Sequence, residues 1–371
     1  MLHPVSSLAG LGAGCSAMSW ETEDRRHLWG RNLDFNTLAS DSRITYIPRG
    51  TSYATCEQRP ESRFCSAYAA VGTGLLSVSL SPLLYEGIND QGLMGGQLYY
   101  REFACYEGFP RPGTAPVQPP VLVYHLLAQC ATVAEVVHTL REELTLLDLP
   151  LLGAVPPLHW SFSDRTGETI VVEPDRDGLH IYRNTLGVMT NSPGYLWHRT
   201  NLLNYAGIRD LDHGAMELAG QQLTPCFSGS GAQGLPGDWS SPSRFVRLAF
   251  LKTYVVKGAT ESAGVGAMFR LLQSAAFPLG MVRVPQPESP GGLEGDILPY
   301  DYTVYTAVAC AESLRFYWTT YENQRIQFVD LSTLRHQTRP VQFELGRWPD
   351  FRELVPASAS AASPISFVSS L

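Results

Sequence analysis

Short β-type runs open the chain: CSAMSW from Cys15 to Trp20, HLWG from His27 to Gly30 and RITYI from Arg43 to Ile47, each bounded by polar, turn-forming residues. The N-terminal quarter is therefore predicted to be mostly sheet. From Trp160 to Arg183 β-rich runs alternate with turns at Thr166-Gly167 and Asp177-Gly178, the pattern of a three-stranded antiparallel meander. Helical spacing is found in fewer places. Pro120 to Ala131 reads as one helix, and Thr132-Val133-Ala134-Glu135 is a capping box that opens a second, running to about Leu144. Arg244 to Val256 and Ser262 to Ala275 form another helical pair. Tyr302 to Ala311, Leu314 to Tyr321 and Arg325 to Leu331 return to strands. With no break in composition between these blocks, the order predicts an α+β fold in one domain over residues 15–355, two sheets enclosed by helices. The Ala- and Ser-rich residues 356–371 read as a flexible tail.

Composition narrows the function. The 371 residues are 44% apolar, 17% charged and 11% aromatic, which supplies a sizeable core and excludes wholesale disorder, collagen-like repetition and a coiled coil. A formal charge of −8 and the lack of a basic stripe exclude a partner read through nucleic-acid phosphates. The seven cysteines, at 15, 56, 65, 105, 130, 226 and 310, have no CxxC spacing, so reduced thiols in a cytoplasmic protein are expected. The nine histidines include no HExxH, and neither metal nor cofactor is expected. No segment reaches the ~18 uninterrupted apolar residues of a membrane span. Gly229-Ser230-Gly231-Ala232-Gln233-Gly234 spells GxGxxG, but no strand enters it and Pro236 follows where a helix should start, so it is read as a loop.

Met1 to Gly14 carry neither Lys nor Arg and are interrupted by Pro4, Ser6, Ser7 and several glycines, unlike a secretory signal. Leu11 to Cys15 superficially match a lipoprotein cleavage box, which gives an exported, lipid-anchored alternative. Taken alone, Cys15 has a plainer reading as a small buried hydrophobe. Its position changes this, because removal of residues 1–14 as a propeptide would leave Cys15 at the N-terminus. One residue would then carry a thiol of pKa near ~8.5 and an α-amine near ~7.7–8, a nucleophile and its base. If the bond before Cys15 stays closed the amine is lost, and the expectation becomes an acyl-amide binding protein.

CSAMS from Cys15, followed by WGRNLDF from Trp29 to Phe35, resembles the opening of the choloylglycine hydrolases. These are N-terminal-nucleophile enzymes that include penicillin V acylases and conjugated bile salt hydrolases. The resemblance continues in order through YEGINDQGLMG (Tyr85 to Gly95), Leu98-Tyr99-Tyr100, PPLH (Pro156 to His159), GVMTNSPGY (Gly187 to Tyr195) and LPGDWSSPSRF (Leu235 to Phe245), covering Cys15 to about Asp350. It implies a four-layer αββα sandwich, a homotetramer, and hydrolysis of a small-molecule acyl amide through a thioester. It also implies roles: Cys15 as nucleophile and base, Asp34 holding its amine, Arg31 and Arg244 beside the thiol. Asn191 and the backbone amide of Tyr99 would form the oxyanion hole.

These roles fit the chemistry, since a guanidinium favours thiolate, a carboxylate orients an ammonium and two donors can meet an oxyanion. Each residue also has a structural reading: Arg31 and Asp34 as an ion pair at a strand end, Asn191 as a turn residue, Arg244 as a charge at a helix start, Tyr99 as a core aromatic. Tyr at position 99, where bile salt hydrolases resemble one another in having Asn, points to penicillin V or another apolar acyl amide before bile salts. Long-chain N-acyl homoserine lactones are a further candidate class.

Overall fold

The first two polar–apolar runs become one long antiparallel pair. The computed structural model describes residues 13–36, 42–59, 62–76, 80–151, 153–283 and 300–354. Strands β1 (Ala13–Glu21) and β2 (His27–Phe35) pair with Gly14 opposite Asp34, Cys15 opposite Leu33 and Ala17 opposite Arg31. Next come β3 (Arg43–Ile47), β4 (Ala70–Leu75), β5 (Leu83–Asn89) and β6 (Met94–Tyr99), then helices α1 (Leu122–Gln129) and α2 (Val133–His138). The meander follows as β7 (Leu158–Ser163), β8 (Thr169–Asp175) and β9 (Gly178–Tyr182), with β10 (Val188–Met189) after it. Helices α3 (Tyr195–Asn201), α4 (Ser241–Tyr254) and α5 (Glu261–Gln273) lead to β11 (Tyr300–Cys310), β12 (Arg315–Thr320), β13 (Gln327–Asp330) and β14 (Val341–Phe343).

These strands make two antiparallel sheets. The first runs β10-β1-β2-β11-β12-β13, with Val282–Arg283 added against β11; the second runs β9-β8-β7-β6-β5-β4-β3-β14. Helices α4 and α5 cover the first sheet, α1 covers the second, and β1 and β2 face β6 between them. This is the αββα sandwich that the order of elements predicts. Val123, Leu126 and Leu127 of α1 bury against Trp160, Phe162 and Val172, while Val265, Met268 and Leu272 of α5 join Leu28 and Val308 of the first sheet. Close approach of the sheets requires a small residue on β6. A Cβ at Gly96 would stand 2.6 Å from the Glu86 Cβ and 2.7 Å from the Trp29 ring.

The helices differ from expectation chiefly at their ends. The run from Pro120 is a 3-10 turn over Pro119–Val121 before α1 begins, since proline supplies no N–H to a helix interior. The Thr132 hydroxyl accepts from the Glu135 N–H at 3.2 Å, as a capping box requires, but Glu135 reaches back to the Ala131 N–H and α2 passes into a π turn over Thr139–Glu143. The GxGxxG segment is a loop with a 3-10 turn, Ser230–Ala232. Residues 356–371 and residues 1–12 of the expected propeptide lie outside the described residues; Ala13 and Gly14 are part of β1.

Candidate active site

Alternation along β1 and β2 distributes the chemistry over two faces of one sheet. Cys15 and Arg31 share the face turned to the second sheet, with Leu33 and Phe35 on the same side. Gly14, Asn32 and Asp34 share the face turned to the helices, where Asn32 donates to the Leu272 carbonyl of α5 at 2.7 Å.

On the inner face Cys15 is 1% exposed, and Arg31 donates from Nη2 to its Sγ at 2.8 Å. The guanidinium is fixed by its other nitrogens, Nη1 donating to the Gln97 carbonyl at 2.7 Å and to Glu86 Oε2 at 3.2 Å. Glu86 is fully buried and accepts the Tyr305 hydroxyl at 2.9 Å. Burial pushes the Cys15 thiol above its ordinary value, and Arg31 is the strongest influence in the opposite direction.

On the helix face Asp34 is fully buried, accepts the Thr303 hydroxyl through Oδ1, and has the Arg244 guanidinium 3.9 Å from Oδ2. Oδ2 has no hydrogen-bond partner among the described residues. Burial lifts this carboxyl to about 7 against the pull of Arg244. Phe277 closes the same side, its ring 5.1 Å from Arg244 and so close to Gly14 that a Cβ there would lie 2.6 Å from a ring carbon.

At the edge of β1 both main-chain polar groups of Cys15 are gripped. The Cys15 N–H donates to Asn191 Oδ1 at 2.8 Å, and Arg244 donates to the Cys15 carbonyl through Nη1 and to Asn191 Oδ1 through Nη2 at 2.7 Å. Asn191 Nδ2 donates to the Tyr99 carbonyl at 2.8 Å. Since the Tyr100 N–H bonds the Pro157 carbonyl at 2.8 Å, strand alternation turns the Tyr99 N–H and C=O together toward Asn191. The Tyr99 side chain stacks on Phe35 with centroids 6.2 Å apart.

All six residues singled out in the sequence, Cys15, Arg31, Asp34, Tyr99, Asn191 and Arg244, thus meet in one network, buried except at the half-buried Tyr99 and Asn191. Sequence reasoning missed Glu86, Thr303 and Phe277. Only Glu86 left a signal, as a lone acid in the middle of the apolar strand LLYEGIN. A cysteine 1% exposed within a continuous strand is also poorly disposed to carry a lipid anchor. Asp175, Asp177 and His180 present ligand atoms within 4.8 Å of one another, but they share no residue with this network. No helix among the described residues is long and apolar enough to cross a membrane.

Comparison with known proteins agrees with the geometry. Bile salt hydrolase/transferase of Clostridium perfringens is 32% identical over 86% of this chain and 92% of its own, and that of Lactiplantibacillus plantarum is 30% identical over the same shares. The solved structure of a mutant conjugated bile acid hydrolase from C. perfringens superposes with a TM-score of 0.81 at 29% identity, covering 92% of this chain and 100% of that one. Penicillin V acylase from Agrobacterium tumefaciens shares the fold, with a TM-score of 0.68 at 20% identity over 90% and 92% of the two chains. A model of linear amide C–N hydrolases, choloylglycine hydrolase family, matches residues 15–340 and so opens on the cysteine around which the buried network closes. The protein belongs to the choloylglycine hydrolase family and is an amidohydrolase of linear C–N bonds.

Proposed function

We propose that Cys15, freed at its N-terminus, is the nucleophile of an acylase that removes an apolar acyl group from an amine. The observation that carries this is the Arg31 Nη2 to Cys15 Sγ contact of 2.8 Å inside a network that also grips the Cys15 main chain. Maturation begins with Sγ attacking the Gly14 carbonyl; the C–N bond to Cys15 breaks, and water hydrolyses the resulting thioester to release residues 1–14. The α-amine then takes the thiol proton as Sγ attacks the substrate carbonyl. Asn191 Nδ2, turned from the Tyr99 carbonyl, and the Tyr99 N–H donate to the oxyanion. Collapse breaks the C–N bond, and the amine leaves with the proton held by the Cys15 ammonium. Water, giving a proton to the same amine, hydrolyses the thioester and restores the thiol. Asp34 holds the ammonium in each half-reaction, and Arg31 and Arg244 stabilise negative charge around the thiol and the Cys15 main chain.

The Phe35–Tyr99 stack beside Leu33, on the face that carries Sγ, supports an aromatic or alkyl acyl group such as phenoxyacetyl. Bile salts are the second reading, favoured by the names of the relatives at 30–32% identity. Parallel kcat/KM measurements on penicillin V, penicillin G, glycocholate, taurocholate and a long-chain acyl homoserine lactone test it. Penicillin V is expected to be cut fastest, and a clear preference for either bile salt overturns the acyl assignment while leaving the thiol mechanism in place.

The working unit in this reading is one catalytic domain, residues 15–355, assembled as a homotetramer in the cytoplasm. Support for assembly comes from the hairpin Met216–Leu218/Gln221–Leu223, which stands clear of the sandwich with Leu211, Met216, Leu218 and Phe227 exposed. The seven free thiols suit a reducing compartment. Analytical ultracentrifugation checks the first point, with a monomer as the contrary result; cell fractionation checks the second.

A further inference from the structure

We infer that His198, together with a buried Glu173–His159 pair, positions Asn191, a role that rests on the proposed function of Asn191 at the oxyanion. Asn191 stands in the turn after β10, a place with no ladder of its own, yet its main chain is held on every side. The Asn191 carbonyl accepts from His198 Nε2 at 2.9 Å, its N–H donates to Ser241 Oγ at 2.9 Å, and the preceding Thr190 carbonyl accepts from His159 Nε2 at 2.9 Å. Both histidines are buried, and each ring is locked by a stacked aromatic. His198 lies 4.6 Å from Phe245 at 12°, and His159 lies 4.6 Å from Tyr100 at 6°. One carboxylate joins the two arms. Glu173 faces His159 Nδ1 at 3.4 Å, and it also accepts the Tyr195 N–H at 2.9 and 3.1 Å at the start of α3, the helix that carries His198.

A carbonyl cannot donate, so the His198 proton lies on Nε2; burial lowers this imidazole to about 4, so above that pH the ring is neutral and keeps its one proton for this contact. The physical need is plain. An oxyanion donor acts only within about 2.7–3.1 Å of its target, and a displacement near 1 Å costs on the order of 10²-fold in rate.

Two substitutions separate positioning from packing. His198→Gln keeps a donor at the place of Nε2 and loses the ring, whereas His198→Phe keeps the stack on Phe245 and loses the donor. The expected result, in processed protein, is that His198→Phe lowers kcat by roughly 10–100-fold with KM within about twofold, and that His198→Gln recovers most of the loss. The reverse order overturns the inference. In an Asn191→Ala background His198→Phe should add no further loss, because the group it positions is gone; an additive loss assigns it to general packing. A crystal structure of unprocessed Cys15→Ala/His198→Phe supplies the arm independent of activity. Asn191 Oδ1 should leave hydrogen-bond distance of the residue 15 N–H, and an unmoved Asn191 overturns positioning. If Asn191 moves and kcat does not change, positioning stands and the oxyanion assignment fails. Should His198→Phe not fold, Ser241→Ala, which removes the acceptor of the Asn191 N–H, is read by the same two measurements.

Discussion

The Cys15 thiol and the Asp34 carboxylate leave opposite faces of the same two-stranded pair, so Asp34 approaches the Cys15 main chain from the side away from the sulfur. Gly14 is its cross-strand partner, and a Cβ on Gly14 would be 3.4 Å from the Asp34 Cβ. In the proposed mechanism the carboxylate is thus placed to serve the nitrogen that cleavage would liberate, while Arg31 serves the sulfur.

Cleavage before Cys15 should depend on its own thiol. Cys15→Ala is expected to remain full length by intact mass, whereas the parent loses residues 1–14. Processing of the variant at the parental rate would assign the cut to another protease.

Gly14 should resist substitution because of Phe277. Gly14→Ala puts a methyl 2.6 Å from a Phe277 ring carbon, too close for either to stay in place. Maturation is expected to slow several-fold, and Phe277→Leu in the same chain should restore much of it. Time courses of intact mass follow both, and a double variant as slow as the single one removes the ring from the explanation.

Asn191→Ala should lower kcat by roughly 10²–10³ with little change in KM, as loss of a single oxyanion donor does. The comparison is made on processed protein, since Asn191 also holds the Cys15 N–H before cleavage. An unchanged kcat in such a sample would exclude it from the reaction.

Arg31 and Glu86 form a buried ion pair with both partners about 1% exposed or less. Arg31→Gln leaves Glu86 as an uncompensated charge and should destabilise the fold by about 3–5 kcal/mol, read by urea denaturation. Glu86→Gln/Arg31→Gln should recover part of that loss, while turnover remains low because the thiol lacks its cation.

The stability of unprocessed Cys15→Ala protein should fall as pH rises from about 4 to about 7. Asp34 has an ordinary value of 3.8 and is lifted to about 7 in the fold, so in that window the native state holds a proton that the unfolded chain has released. The contribution is complete below 3.8 and is lost as pH climbs through 7. Asp34→Asn should flatten this part of the profile in thermal melts across pH 4–8, and an unchanged slope would show that another group is responsible.

Much of the fold was legible because alternation and turn chemistry are local: the meander from Trp160 and the strand at Arg43 needed no tertiary information. The six candidate residues were singled out through the ordered family blocks, and the fold brings them together, with Cys15, Arg31 and Asp34 on one strand pair. Thr303 and Phe277 were not, and Glu86, although inside a block and a lone acid in its strand, gave no sign of its partner, for a physical reason. Glu86 reaches Arg31 from the other sheet, Thr303 stands opposite Asp34 on the neighbouring strand β11 and Phe277 packs beside Gly14, at sequence separations that no periodicity reports, and a buried Thr or Phe in an apolar run looks like any other core residue. The two histidines behind Asn191 were hidden in the same way, His159 inside a recognised block and His198 on a short helix with no distinguishing pattern.

The division of the strand pair into two faces keeps the groups around the Cys15 nitrogen apart from the apolar side chains beside the thiol. In the proposed mechanism proton handling lies with Asp34, Arg244 and the Cys15 nitrogen on the helix face, and acyl recognition with Leu33, Phe35 and Tyr99 between the sheets. A change of acyl pocket can therefore be made at Leu33 and Phe35 of β2 without touching Asn32 or Asp34 on the other side, as long as Arg31 keeps its hold on the thiol. One catalytic apparatus can in this way be inherited intact by enzymes that differ in the body of the amide they open.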